Sequence, residues 1–306
     1  MSNRKKSMLN IICVMFLCIL SITGCSNNQE QQDYKKKDSI FVSILPQETF
    51  VKKIAGDFLN VRVMVKPGHS PSTYEPTPRQ MQELSESKIF FAIGVPFENV
   101  WLGKIREVNP SIKIVKTQEK ITLKPINRGE PEISEHRGEH EGHSHEGLMD
   151  PHIWLSPKLV MSQAETMHDS LVELYPDKKN IFDANLEKFQ SELKDLDNKI
   201  REILKDSDGS VFLVFHPSWG YFADDYGLVQ VAIEKEGKEP SAEYMAQLME
   251  FAKKKNIRAI FVQEQFSKQY AQNIAKAINI KVVSLDPLSF DYFNNLIAVA
   301  EALKKK

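Results

Sequence analysis

The sequence predicts an α/β protein: two four-stranded parallel-sheet lobes joined by one long spine helix. Three observations carry this. Short apolar runs alternate with amphipathic stretches before position 116. The same alternation restarts after position 210, and one much longer amphipathic helix lies between. Crossovers of about 10–15 residues between apolar runs pair strands in parallel.

The first lobe opens at residues 40–45 (IFVSIL), an apolar run ended by Pro46 and expected as a buried strand. Phe50, Val51, Ile54 and Phe58 follow at helical spacing over 47–58. Residues 61–65 form the second strand, broken by Pro67-Gly68. Pro78 opens a helix through Met81 and Leu84, and residues 88–93 form the third strand. A helix over 97–108 leads to the fourth strand at 112–115. Residues 116–150 have no periodicity, and a loop this long inside a domain is usually functional or disordered.

Ser156-Pro157 starts a helix as N-cap plus first-turn proline, and the helix runs to about residue 175. Pro176 breaks it. Leu186, Phe189, Leu193, Leu196, Ile200 and Ile203 then alternate spacings of three and four. That predicts a spine helix over 177–204, roughly 40 Å long at 1.5 Å per residue. After DSDGS at 206–210, strands are expected at 211–215, 229–233, 257–262 and 281–285. Helices are expected at 219–226, 241–255 (N-capped by Ser241), 267–278 and 294–303.

The N-terminus has a positive n-region (Arg4, Lys5, Lys6) and an apolar stretch over 8–20, too short for a confident membrane span. Ile22-Thr23-Gly24-Cys25 resembles a bacterial lipoprotein processing box, with Cys25 carrying lipid after cleavage. Residues 1–25 are then a signal peptide and 26–38 a polar tether. Residues 39–175 form the N-terminal lobe with a His-rich loop over 118–150, 176–205 the linking spine, and 206–306 the C-terminal lobe. Cleavage removes Cys13 and Cys18, so no internal disulfide is expected. The composition, 42% hydrophobic and 26% charged, is that of an ordinary globular protein. A net charge of -1 offers nucleic acid no basic face.

Five of the eight histidines fall in HRGEHEGHSHEGLMDPHIW, residues 136–154. His136, His140, His143 and His145 sit among Glu and Gly, a composition that reads as metal-binding, with an accidental solvated loop as the bland alternative. His152 instead follows Asp-Pro and precedes an apolar segment. Open α/β sheets bind ligands beyond the carboxyl ends of their strands. His69, His216, Glu264 and Asp286 all follow strand ends, and with His152 they lie where two facing lobes would meet. Three imidazoles and a carboxylate make a four-coordinate zinc set. A solvated loop histidine at 69, a core histidine at 216 and a plain turn at Asp286-Pro287 are the bland alternatives. His168, mid-helix among polar neighbours, is expected at the surface. Trp154, Trp219 and Tyr221 are expected to pack around the site or in ordinary core.

These residues carry a resemblance to the metal-specific solute-binding lipoproteins of zinc and manganese ABC importers. The matching stretches are PGHSPSTYEPTPRQM (67–81), DPHIWLSP (150–157), FHPSWGYFADDYGL (215–228), EKEGKEPSA (234–242), FVQEQFS (261–267) and SLDPL (284–288). The resemblance implies two α/β lobes, one long helix and a metal held between them, with ligands at His152, His216 and Asp286. It places the first family ligand at a histidine where this chain has Ser72. His69, three residues earlier, is expected to supply the missing imidazole; a water or a histidine of the 136–145 tract is the alternative.

The expected function is therefore capture of Zn²⁺ and delivery to an ABC permease, by a monomer held outside the cytoplasm on the cell membrane by its lipid. Imidazole-rich sites favour zinc over manganese, and in the resembling family a His-rich loop here implies zinc. A manganese or iron receptor of the same fold, or a surface adhesin, are the alternatives. No enzymatic activity is expected: a zinc hydrolase would need an open water position and a base such as Glu264, and no HExxH helix is present.

Overall fold

The structure is a computed structural model that describes residues 37–126, 129, 149–234, 241–266 and 268–305. The signal peptide with Cys25, nearly all of the tether, and the tract with His136, His140, His143 and His145 lie outside the described residues.

The N-terminal lobe runs β1 (Ser39–Val42), α1 (Leu45–Ala55), β2 (Asn60–Val63), α2 (Pro78–Ser85), β3 (Ile89–Ala92), α3 (Pro96–Val108) and β4 (Lys113–Lys116). Its sheet is parallel, in the order β2-β1-β3-β4. Helix α4 (Pro157–Leu174) leads through a 3-10 turn, Pro176–Lys178, into the spine α5 (Lys179–Leu204). The C-terminal lobe runs β5 (Val211–Val214), α6 (Gly220–Asp225), β6 (Val229–Ala232), α7 (Ala242–Lys254), β7 (Ala259–Val262), α8 (Lys268–Ala277), β8 (Lys281–Ser284) and α9 (Tyr292–Leu303). Its sheet repeats the first, in the parallel order β6-β5-β7-β8.

Several boundaries differ from the sequence reading for physical reasons. The first helix begins at Leu45, so Pro46 opens a helix instead of closing a strand. A first-turn proline needs no N–H and already has helical φ. The spine starts two residues later than expected because Pro176 forms a 3-10 turn first. Ser156 and Ser241 act as the N-caps the sequence suggested, accepting from Leu159 N (3.3 Å) and Tyr244 N (3.2 Å).

The spine buries Phe182, Phe189, Leu193, Leu196, Ile200 and Leu204. They belong to one apolar core that reaches from β1 to α9 and takes in Phe212, Val214 and Trp219 of the second lobe. A smaller core lies between β5–β7 and helices α7 and α8. The lobes are also joined directly. Trp154 Nε1 donates to Pro287 O (2.6 Å), Tyr221 OH to Asp150 O (3.0 Å) and Ser156 Oγ to Asp225 (2.5 Å). Phe50 of α1 meets Tyr292 of α9 edge-on at 4.9 Å.

One buried carboxylate shapes the upper edge of the first sheet. Glu98 accepts from Ser43 Oγ (2.6 Å), Ile93 N (2.9 Å) and Gly94 N (2.8 Å). It ties the turn after β1 to the turn after β3, where Gly94 has φ +92°, a conformation that a Cβ disfavours. Burial raises the Glu98 pKa, and its hydrogen bonds only partly offset it.

Two outcomes follow. Leu193→Ala should lower stability by about 2–5 kcal/mol in a denaturant titration, while Ile181→Ala on the exposed face should stay within about 0.5 kcal/mol. Glu98→Gln places an NH₂ against a backbone donor and should cost about 1–3 kcal/mol. A carboxylate with a raised native pKa contributes most stability below its unfolded pKa and loses it as pH rises through the native value. The wild-type advantage over Glu98→Gln should therefore widen as pH falls from neutral toward the ordinary carboxylate range.

Candidate metal centre

Both sheets reverse strand order between their two central strands, so each has a switch point there, beside β1 and β3 in one lobe and β5 and β7 in the other. The turns beyond β3, β5 and β7 form much of the wall of one cleft of 670 Å³ between the lobes, while Ile44 and Leu45 beyond β1 line a smaller cavity. Ser72 and the 94–96 turn line one side, and His216, Gln263 and Phe266 the other. His152 lines it too, from the segment leading into α4.

His152 caps a 3-10 turn, Ile153–Leu155, and is largely buried. Asp150, two residues earlier, accepts from His152 N (2.9 Å) and pairs with His152 Nδ1 (2.6 Å) through the same oxygen. His216 follows β5, and its Nδ1 meets Glu234, just beyond β6, at 2.6 Å. Both carboxylates are buried. A carboxylate on Nδ1 takes the N–H there and leaves Nε2 as a free lone pair, the tautomer that ligates metal. The two rings lie 5.2 Å apart, and Phe266 stacks on the His216 ring at 5.2 Å. Burial lowers the His216 pKa, against the upward pull of its Glu234 hydrogen bond, and the neighbouring His152 adds to the lowering. That lowering favours the neutral ring, the form a ligand needs.

Asp286 follows β8 and lines a 40 Å³ cavity with Gly68 and Glu264. That cavity shares Gln265 and Leu288 with the main cleft. The Asp286 carboxylate accepts from Leu288 N (2.9 Å), which fixes its turn. His69 is exposed, with its ring edge-on to Tyr74 at 5.6 Å, and lines neither cavity, whereas Ser72 lines the cleft. Among the described residues, no three His, Cys, Asp or Glu side chains are gathered closely enough to hold an ion. The structure brings His152 and His216 together, places Asp286 in a separate cavity that shares two lining residues with the cleft, and leaves His69 apart. His168 sits against Asp183 of the spine at 2.8 Å, well shielded by its neighbours.

Sequence reasoning missed Asp150 and Glu234. The strand-end rule that chose His216 and Asp286 also selects Glu234, two residues past β6. Asp150 was visible as the residue ahead of Pro151-His152, where Asp commonly caps a turn.

The sequence family described as zinc-uptake complex component A, periplasmic, matches residues 40–306. The zinc-binding lipoprotein AdcA of Streptococcus pneumoniae (strain ATCC BAA-255 / R6) is 34% identical over 276 residues, covering 89% of this chain. The chain spans about half, 54%, of that relative's length. A crystal structure of ZnuA superposes with a TM-score of 0.78 at 41% identity, covering 87% of this chain and 97% of that one. A zinc-bound ZnuA lacking residues 138–173 of its own numbering gives 0.78 at 40%, covering 88% and 99%. With two parallel lobes, a spine between them and paired imidazoles in the cleft, the chain belongs to the zinc-uptake complex component A family of solute-binding proteins.

Proposed function

We propose that this protein is an extracytoplasmic zinc receptor that captures Zn²⁺ between its lobes and delivers it to an ABC permease. The observation that carries this is the facing pair of imidazoles, His152 and His216, each locked through Nδ1 onto a buried carboxylate. Zinc takes nitrogen and carboxylate ligands in a closed tetrahedral set. The proposed ligands are His152, His216 and Asp286, completed by His69 turning inward from its exposed loop. The family is one of solute-binding proteins, so the chemistry is capture and release rather than catalysis.

The remaining assignments extend this reading. His136, His140, His143 and His145 gather Zn²⁺ weakly and raise its supply to the cleft. Cys25 carries lipid and holds a monomer at the cell membrane beside its permease. The spine and the bonds between lobes resist hinge opening, so release proceeds by distortion of the ligand loops or protonation of the imidazoles.

Elemental analysis of the purified chain, alongside a deletion of residues 135–146, tests the division of labour. One tightly held zinc is expected in both, with further weak equivalents in the intact chain alone. A deletion without tight zinc would instead make the tract a direct ligand source. His69→Ala should weaken zinc binding; affinity unchanged within error would remove His69 from the ligand set.

Lowering pH from 7.5 to 5 should release the metal, because ligating histidine must be neutral and each bound imidazole competes with a proton. Burial moves His216's own proton uptake toward more acid pH. Undiminished retention at pH 5 in a chelator competition would contradict histidine ligation.

A further inference from the structure

Gln263 follows β7, lines the cleft and is 1% exposed. Its neighbour in the sheet is β5, and Phe215 N–H to Phe261 O (2.9 Å) extends the ladder between them. Two residues on, Pro217 has no N–H to give and the chain turns away. The Gln263 side chain takes over at that point. Its Oε1 accepts from His216 N (3.2 Å), and its Nε2 donates to His216 O (2.6 Å) and to Ser218 Oγ (2.9 Å). One amide therefore engages both backbone polar groups of His216, as another rung of the ladder would.

The ring of His216 is held separately, by Glu234 on Nδ1 and Phe266 on its face. Those contacts fix the ring's rotation but not where its backbone sits. The direction of Nε2 depends on both. We propose that Gln263 is a positioning residue of the metal centre: its amide fixes the His216 backbone so that the lone pair on Nε2 points into the cleft. This rests on the zinc-receptor reading above. The role suits an amide because it needs a donor and an acceptor in one planar group. An ionised carboxylate offers acceptors alone, and an aliphatic chain of the same size offers neither.

The test compares three variants of the full chain, loaded with zinc alone and titrated against a chromophoric chelator. Gln263→Leu should bind zinc about 10–100-fold more weakly, the usual cost of removing a group that orients a ligand. With Co²⁺ as a spectroscopic substitute, its visible absorption should shift in position or intensity. Asn109→Leu is the matched control. Asn109 is a buried amide at the far end of α3, donating to Leu84 O (3.1 Å) and Ser87 O (2.9 Å) and accepting from Ser111 N (3.2 Å). That variant should lose melting temperature comparably while keeping zinc affinity and the Co²⁺ spectrum. Gln263→Leu with unchanged affinity and spectrum would overturn the proposal, as would Asn109→Leu losing as much affinity. His216→Ala separates the two levels of argument. It should abolish tight binding; if it does not, the zinc centre itself is wrongly placed and the role of Gln263 falls with it.

Discussion

Two hydrogen bonds of 2.6 Å, His152 to Asp150 and His216 to Glu234, are the constraint on which the candidate centre depends. Each solves two problems at once. A buried carboxylate needs a donor, and a buried imidazole needs its tautomer and rotation chosen for it. Pairing them satisfies both groups and leaves the two Nε2 atoms as acceptors without a proton. It also places negative charge behind each ring, which favours a cation in front of it. Without these bonds, two imidazoles 5.2 Å apart would be free to rotate, and neither ring would have its tautomer chosen for it.

The repeated fold puts this pair where it can act. Each lobe carries the same four-strand order, and in each the turns beyond the two central strands face the other lobe. Local clamps hold those turns. Glu98 gathers Ser43, Ile93 and Gly94 in the first lobe, and Gln263 holds His216 in the second. Both use a polar side chain to satisfy backbone groups that the ends of a parallel sheet leave without strand partners.

The strands and the spine were legible because their burial leaves a plain mark. Parallel strands covered on both faces are runs of Val, Ile and Phe, as in β3 and β7, and the spine's threes and fours give a single apolar stripe. The places of His216 and Asp286 just beyond strand ends were legible too. The start of α1 was not legible, since Ile44 and Leu45 are apolar enough for either a strand or a buried helix turn. Nor were Asp150 and Glu234. A carboxylate in a turn looks solvated until the fold sets a ring against it. The direction of the loop bearing His69 and Ser72 has no periodicity to declare it. There the structure sets Ser72 on the cleft wall and His69 outward, an arrangement that spacing alone could not convey.

If the protein is the zinc receptor proposed above, the bonds between the lobes bear on how a permease would know whether it is loaded. Trp154, Tyr221 and Ser156 each donate across the boundary, and α9 returns from the second lobe to lie on α1 and the spine. A body stapled in this way is braced against a change of outline between full and empty. That bracing opposes announcing its cargo by closing, as hinged receptors do. The message must be local, written in the posture of the few turns around the cleft mouth. Discrimination between loaded and empty receptors would then fall to a small patch of surface rather than to the shape of the whole.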